Sequence, residues 1–138
     1  MSAIPMRAKV LALEDVVRGM EQMPLKTGHY FADSMYAREL FQPADSVVIG
    51  KVHKREHFFI VLSGAIKVVV DEATEIVRAP KVLVSKAGAK RAIYALEDST
   101  YLTVHKTKKK NVDKIEKEIV EEDNRALFDA HNNIKALK

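Results

Sequence analysis

Gly50-Lys51-Val52-His53-Lys54-Arg55-Glu56-His57-Phe58-Phe59-Ile60-Val61-Leu62-Ser63-Gly64 decides how the rest of the chain reads. Two histidines four apart can share one face of a helix, the spacing by which some proteases hold zinc. In those proteins the glutamate follows the first histidine, whereas Glu56 here precedes the second. The flanks Val47-Val48-Ile49 and Phe58-Phe59-Ile60-Val61 are β-branched and aromatic, which favours strands. On a straight strand His53 and His57 would lie roughly 13 Å apart, too far for one ion. They converge only if the chain turns at Lys54-Arg55-Glu56, a polar break suited to that.

Working outward, strands are predicted at Tyr36–Phe41, Val47–Val52, Phe58–Leu62, Ile66–Val70, Thr74–Val77, Val82–Ser85, Arg91–Ala95 and Tyr101–His105. The breaks between them, such as Ser63-Gly64, Ala79-Pro80 and Ala87-Gly88, are short and rich in turn residues, which favours antiparallel neighbours over helical crossovers. Ahead of this region, Val10, Leu13, Val16, Val17 and Met20 recur at helical spacing until Pro24. Behind it, Asn111-Val112-Asp113 offers capping side chains before Ile115, Ile119 and Val120, and a second helical segment is expected from Asn124 to Ala136. The expected organisation is a helical extension over residues 1–28, a β-barrel over 29–106 and a helical extension over 107–138. The helices are expected on the barrel exterior or on another subunit.

The 138 residues suit one domain, and the hydrophobic (47%) and charged (30%) fractions are those of a soluble globular chain. With no cysteine, disulfides and thiolate metal sites are excluded, and any metal must be held by His, Asp or Glu. No secretory leader and no run of roughly 18 apolar residues is seen, so a membrane is not expected and a cytoplasmic location is. The net charge of +4 draws on Lys106, Lys108, Lys109 and Lys110, which lack interleaved aromatics and read as a solvated linker, not a nucleic-acid surface. There is no glycine-rich phosphate loop and no Gly-x-Ser-x-Gly elbow.

The quoted segment resembles the first cupin motif, two histidines one residue apart followed by a glutamate and then a turn glycine. In register with Gly64, the second histidine falls on His53, the glutamate on His57, and the first histidine on Lys51, a departure. Lys86-Ala87-Gly88-Ala89-Lys90-Arg91 resembles the second motif: Gly88 matches, Lys86 replaces a proline, and Arg91 stands where the last histidine ligand would be. Arginine does not ligate metals, so the inherited four-ligand site is not intact. The resemblance implies a mainly β fold, a cupin-like antiparallel jelly roll. Over residues 29–120 the chain is also similar to uncharacterised cupin-type proteins of tailed bacteriophages, although Ala32-Asp33-Ser34-Met35 departs from the Pro-Gly turn expected there.

His105 ends the strand Tyr101–His105 and can replace the missing ligand. His53, His57 and His105 would then suit one divalent transition metal, Zn, Fe, Ni or Mn. Two other readings stay open: a metal-free anion pocket of His53, His57 and Arg91, and ordinary polar residues at strand ends. Glu39, alternating with Ala37 and Phe41, is expected to point inward within reach of Arg91, with Arg38 on the opposite face. Tyr94, Tyr101, Phe59 and Phe41 are candidates for the barrel mouth.

Three functions follow as expectations. The first is a non-catalytic cupin scaffold or binding module with a degenerate metal site, a phage virion or accessory protein, located in the host cytoplasm or virion and docking on other phage proteins. The second is a metal-dependent isomerase or oxygenase using the three histidines, with Arg91 on a substrate carboxylate and Glu39 or Tyr94 handling protons. The third binds a small anionic ligand through Arg91 and the histidines. Edge strands and amphipathic extensions both need covering, so a homo-oligomer, first of all a dimer, is expected.

Overall fold

The structure, a computed structural model, describes residues 10, 12, 25–70 and 73–121. The described chain forms nine strands: β1 (Lys26–Ala32), β2 (Met35–Gln42), β3 (Val47–Ile49), β4 (His57–Ser63), β5 (Ala65–Val70), β6 (Ala73–Arg78), β7 (Lys81–Ser85), β8 (Arg91–Ala95) and β9 (Ser99–Lys106). One helix, α1 (Val112–Ile119), follows. All pairings are antiparallel, in sheets ordered β1-β2-β9-β4-β7 and β3-β8-β5-β6. This is jelly-roll order, so the expected barrel takes the form of two facing sheets.

Side chains alternate across each strand, and this alternation defines the interior. Leu40, Phe59, Val61 and Tyr101 from the first sheet meet Val48, Ile66, Val68, Val77 and Ile93 from the second in one buried cluster. Full burial of each such side chain contributes about 1.5–3 kcal/mol. Gln42, fully buried, donates to the carbonyls of Ser46 (2.9 Å) and Ile93 (3.0 Å) and accepts from the Tyr101 hydroxyl at 2.8 Å. It ties the sheets together with no amide atom left over.

The helix has a particular seat. Asn111 caps it by accepting from the Lys114 amide at 3.1 Å. Its apolar face, Ile115 and Ile119 with Val120, packs on Tyr36, which points inward from β2. Thus α1 is seated next to the site described below.

Several boundaries differ from expectation. β1 begins at Lys26, inside the expected helical extension, and joins β2 through a two-residue turn in which Asp33 and Ser34 take positive φ, 20° and 61°. That turn replaces the expected Pro-Gly turn. The third strand stops at Ile49; Gly50 still donates to the Arg91 carbonyl at 2.8 Å, and the loop to His53 follows. Val10 and Ala12 are helical, with Val10 buried on Ile49 and Ala92; the rest of the predicted first helix and the segment from Asn124 to Ala136 lie outside the described residues. Among the described residues no helix is long and apolar enough to cross a membrane.

Candidate metal centre

Three separate segments bring the imidazoles together. His57 opens β4 and His105 lies near the end of β9, adjacent in the antiparallel pairing that sets Phe58 opposite Val104. Their ring centroids are 4.6 Å apart. His53 lies in the loop before β4, and the backbone fixes it there. The Lys54 amide donates to the Ile119 carbonyl at 2.7 Å, the Gly88 amide donates to the His53 carbonyl at 2.8 Å, and His53 forms an antiparallel bridge with Val120. The end of α1 and the Gly88 turn therefore hold His53 with its ring 4.3 Å from His57 and 5.2 Å from His105. Each histidine offers one ring nitrogen, and the three nitrogens lie within 4.8 Å of one another.

Tetrahedral ligands about 2 Å from one ion lie roughly 3.3 Å apart, so the nitrogens, within 4.8 Å of one another, stand somewhat wider than a bound ion would hold them and must draw in to take one. Burial pushes the pKa of His53 well below its ordinary value, lowers that of His57 and brings that of His105 down to about 3; at His105 the unfavourable proximity of a second protonated ring at His57 and of the Arg38 and Arg91 cations adds to the effect. All three rings are neutral at pH 7, the form that ligates metals. The donor set therefore fits a borderline-soft divalent ion, imidazole suiting Zn, Fe and Ni better than Mn.

Arg91 occupies the flank of this cluster. Its Nη2 donates to His57 Nε2 at 3.0 Å while its guanidinium lies 4.4 Å from the centre of the Phe59 ring. His57 Nδ1 donates to the Arg55 carbonyl at 3.0 Å, which leaves Nε2 as the acceptor. A metal at His57 Nε2 requires Arg91 to withdraw, and the adjoining space allows it. A cavity of about 260 Å³ lies beside Phe59 and Arg91, walled by Val68, Val70, Leu83 and Ala89. Burial lowers the Arg91 pKa to about 10, so the group stays cationic at neutral pH.

The remaining sequence candidates fall elsewhere. Tyr36, Leu40 and Gln42 are the buried residues of β2, so Glu39 lies on the outer face with Met35 and Phe41, and Arg38 on the inner one. The expected inward Glu39 and outward Arg38 are therefore reversed. Tyr94 shares the outer face of β8 with Ala92 and donates to Asp45 Oδ1 at 2.7 Å, away from the histidines. Phe59 and Tyr101 pack in the core at 5.1 Å. Lys51, where a cupin would carry its first histidine, pairs with Glu116 of α1. Sequence reasoning missed Arg38 and Tyr36 as neighbours of the site; the signal was the buried alternation of Tyr36, Leu40 and Gln42.

Neutral buried histidines make the ligand-free fold acid-sensitive. The unfolded chain takes up protons near pH 6.5, whereas folded His105 does so only near pH 3. Stability is thus fully present above about pH 6.5 and lost as pH falls through that window, by roughly 2 kcal/mol from His105 alone between pH 6.5 and 5. Urea midpoints of metal-free protein at pH 7 and pH 5 check this, and equal midpoints would contradict it.

No family model and no curated protein matches the chain. Solved structures do match. The cupin domain of Schizosaccharomyces pombe Cnp3 is 21% identical with a TM-score of 0.53, over 74% of this chain and 75% of that one. A cupin superfamily protein of Desulfitobacterium hafniense gives 13% and 0.53 over 69% and 87%. KdgF of a Halomonas species gives 13% and 0.55 over 64% and 84%. At these identities the likeness establishes the cupin-like fold alone.

Proposed function

We propose that this cupin-fold chain is a ligand-binding protein in which His53, His57 and His105 hold one divalent transition metal. The observation that carries the reading is the convergence of three neutral imidazoles from three segments, to within 4.8 Å of one another. Among the described residues this group contains no carboxylate. When bound, such an ion would draw an anionic ligand to the pocket. Arg91 adds a second positive charge beside it and, by moving off His57 Nε2, opens the ligand position. Glu39 and Tyr94 lie too far from the cluster to serve as its acid or base, which favours binding over turnover.

Titration of untagged protein with Co²⁺, followed by visible absorption, tests this. One equivalent is expected to give a saturating spectrum that competing Zn²⁺ bleaches. The His105→Ala variant is expected to give none, and a wild-type protein that shows no site-bound Co²⁺ would overturn the reading.

A second reading, a scaffold module such as a phage virion or accessory protein, draws support from the outer surface. Phe58 and Leu62 of β4 and Val82 and Val84 of β7 are each about half exposed on one face, with Phe58 opposite Val84. A contiguous apolar face of this kind fits an interface, here with a second copy of the chain. Light scattering that gives a dimer, split by Val84→Asp, supports this; a wild-type monomer argues against it.

A further inference from the structure

Arg38 carries the one buried side-chain polar atom without a hydrogen-bond partner among the described residues, its Nη2. The guanidinium is held at Nε. Nε donates to the Tyr36 hydroxyl at 3.0 Å, that oxygen lies 2.6 Å from His29 Nδ1, and the guanidinium carbon lies 5.6 Å from the Tyr36 ring centre.

Register places this group beside the histidine cluster. Arg38 faces Thr103 across the β2–β9 pairing, Tyr36 faces His105, and the Thr103 hydroxyl shares a 2.8 Å hydrogen bond with His105 Nε2. The Arg38 charge is also felt at both His53 and His105. Two guanidiniums, Arg38 and Arg91, therefore stand next to three neutral imidazoles. The nearby Glu116 is engaged by Lys51. Arg38 is partly exposed, but this one nitrogen is closed off from solvent without an acceptor, a local cost that an anion reaching it removes.

We propose that Arg38 is the recognition group for the carboxylate of a small organic ligand, with one carboxylate oxygen on Nη2 and the rest of the ligand directed at His53, His57 and His105. Tyr36 is the positioning residue, holding the guanidinium edge in place through Nε. A single buried nitrogen awaits an acceptor, which matches a singly charged carboxylate; a phosphate dianion calls for several donors at once. This rests on the metal centre for what meets the far end of the ligand, but not for the contact at Arg38.

The test is an NMR titration of Zn²⁺-loaded and metal-free protein with lactate, acetate and inorganic phosphate, in wild type and Arg38→Met, with metal content measured on the same samples. Lactate is expected to bind wild type, and at least tenfold more weakly to Arg38→Met at unchanged zinc content. The ligand-free thermal midpoint of Arg38→Met is expected to equal or exceed that of wild type, because an unsatisfied buried donor has been removed. Equal lactate affinity in the two proteins, phosphate binding in preference to both carboxylates, or a lowered Arg38→Met midpoint marking a purely structural arginine would each overturn the proposal. Carboxylate binding that depends on Arg38 in protein unable to hold zinc upholds the proposal and removes the metal centre. Bound zinc with no carboxylate response does the reverse.

Discussion

Replacing His57 with alanine is expected to lower divalent-metal affinity by at least two orders of magnitude. Losing even a group that only orients a metal ligand costs 10–100-fold in affinity, and His57 is itself one of three proposed ligands, with no carboxylate in the group to compensate. The same change destabilises the ligand-free protein. Arg91 loses the acceptor it holds at 3.0 Å and stays buried at 8% exposure, at a cost of about 1–3 kcal/mol. Adding Arg91→Met to His57→Ala should recover part of that stability and none of the metal affinity. His29→Ala is the control, because His29 bonds the Tyr36 hydroxyl and is not one of the three proposed ligands; it should leave metal affinity within a few-fold. Competition with a chromophoric chelator measures all four proteins, and an unchanged constant for His57→Ala would remove that residue from the centre.

Gly64→Ala should be the most damaging methyl group that can be added to the described chain. Gly64 makes the turn between β4 and β5 with φ at +83°, a conformation that costs other residues about 1–2 kcal/mol. A Cβ there would also collide with Ser99 Oγ and the Asp98 carbonyl and sit 2.8 Å from Ser99 Cα. Ser99 cannot give way. It is fully buried, and its hydroxyl accepts from the Ala65 amide at 3.1 Å and donates to the Glu97 carbonyl at 2.8 Å. Overpacking adds about 1–3 kcal/mol, so the combined loss of roughly 2–5 kcal/mol is a large share of a typical domain's stability. Gly88 separates the two contributions. Its φ is +84°, but nothing lies within 4 Å of its added Cβ, so Gly88→Ala should lose only the backbone part. Urea midpoints decide, and equal losses at the two glycines would show that the contact with Ser99 is not what matters.

These two glycines also show what was legible in the sequence. Both turn positions were readable because the flanking apolar runs are short and β-branched, and the spacing from His53 to Gly64 placed the polar turn before β4. The convergence of His53, His57 and His105 could be posed from the sequence only as one of three alternatives, since it depends on strand pairing between positions nearly 50 residues apart. β1 was missed because Lys26-Thr27-Gly28 carries no β-branched alternation and was grouped with the helical extension before it; it becomes a strand at the sheet edge through pairing with β2. The phase of β2 was misread for a related reason. Its inner face carries Arg38 and Gln42 and its outer face Met35 and Phe41, so polarity does not mark the faces, and a one-residue error exchanges Glu39 for Arg38. The phase is fixed by packing: Leu40 enters the main core, Gln42 bonds across the interior, and Tyr36 packs under Ile115 and Ile119. The seat of α1 was hidden as well, because an amphipathic helix carries no sign of which surface it covers.

Anomalous diffraction from crystals of the full chain grown with Zn²⁺ tests the site shared by the three histidines most directly. The expected result is a single strong peak about 2.0–2.1 Å from one ring nitrogen of each of His53, His57 and His105, with the Arg91 guanidinium moved off His57 Nε2. A map with no peak among the three rings, and Arg91 still donating to His57, would contradict it.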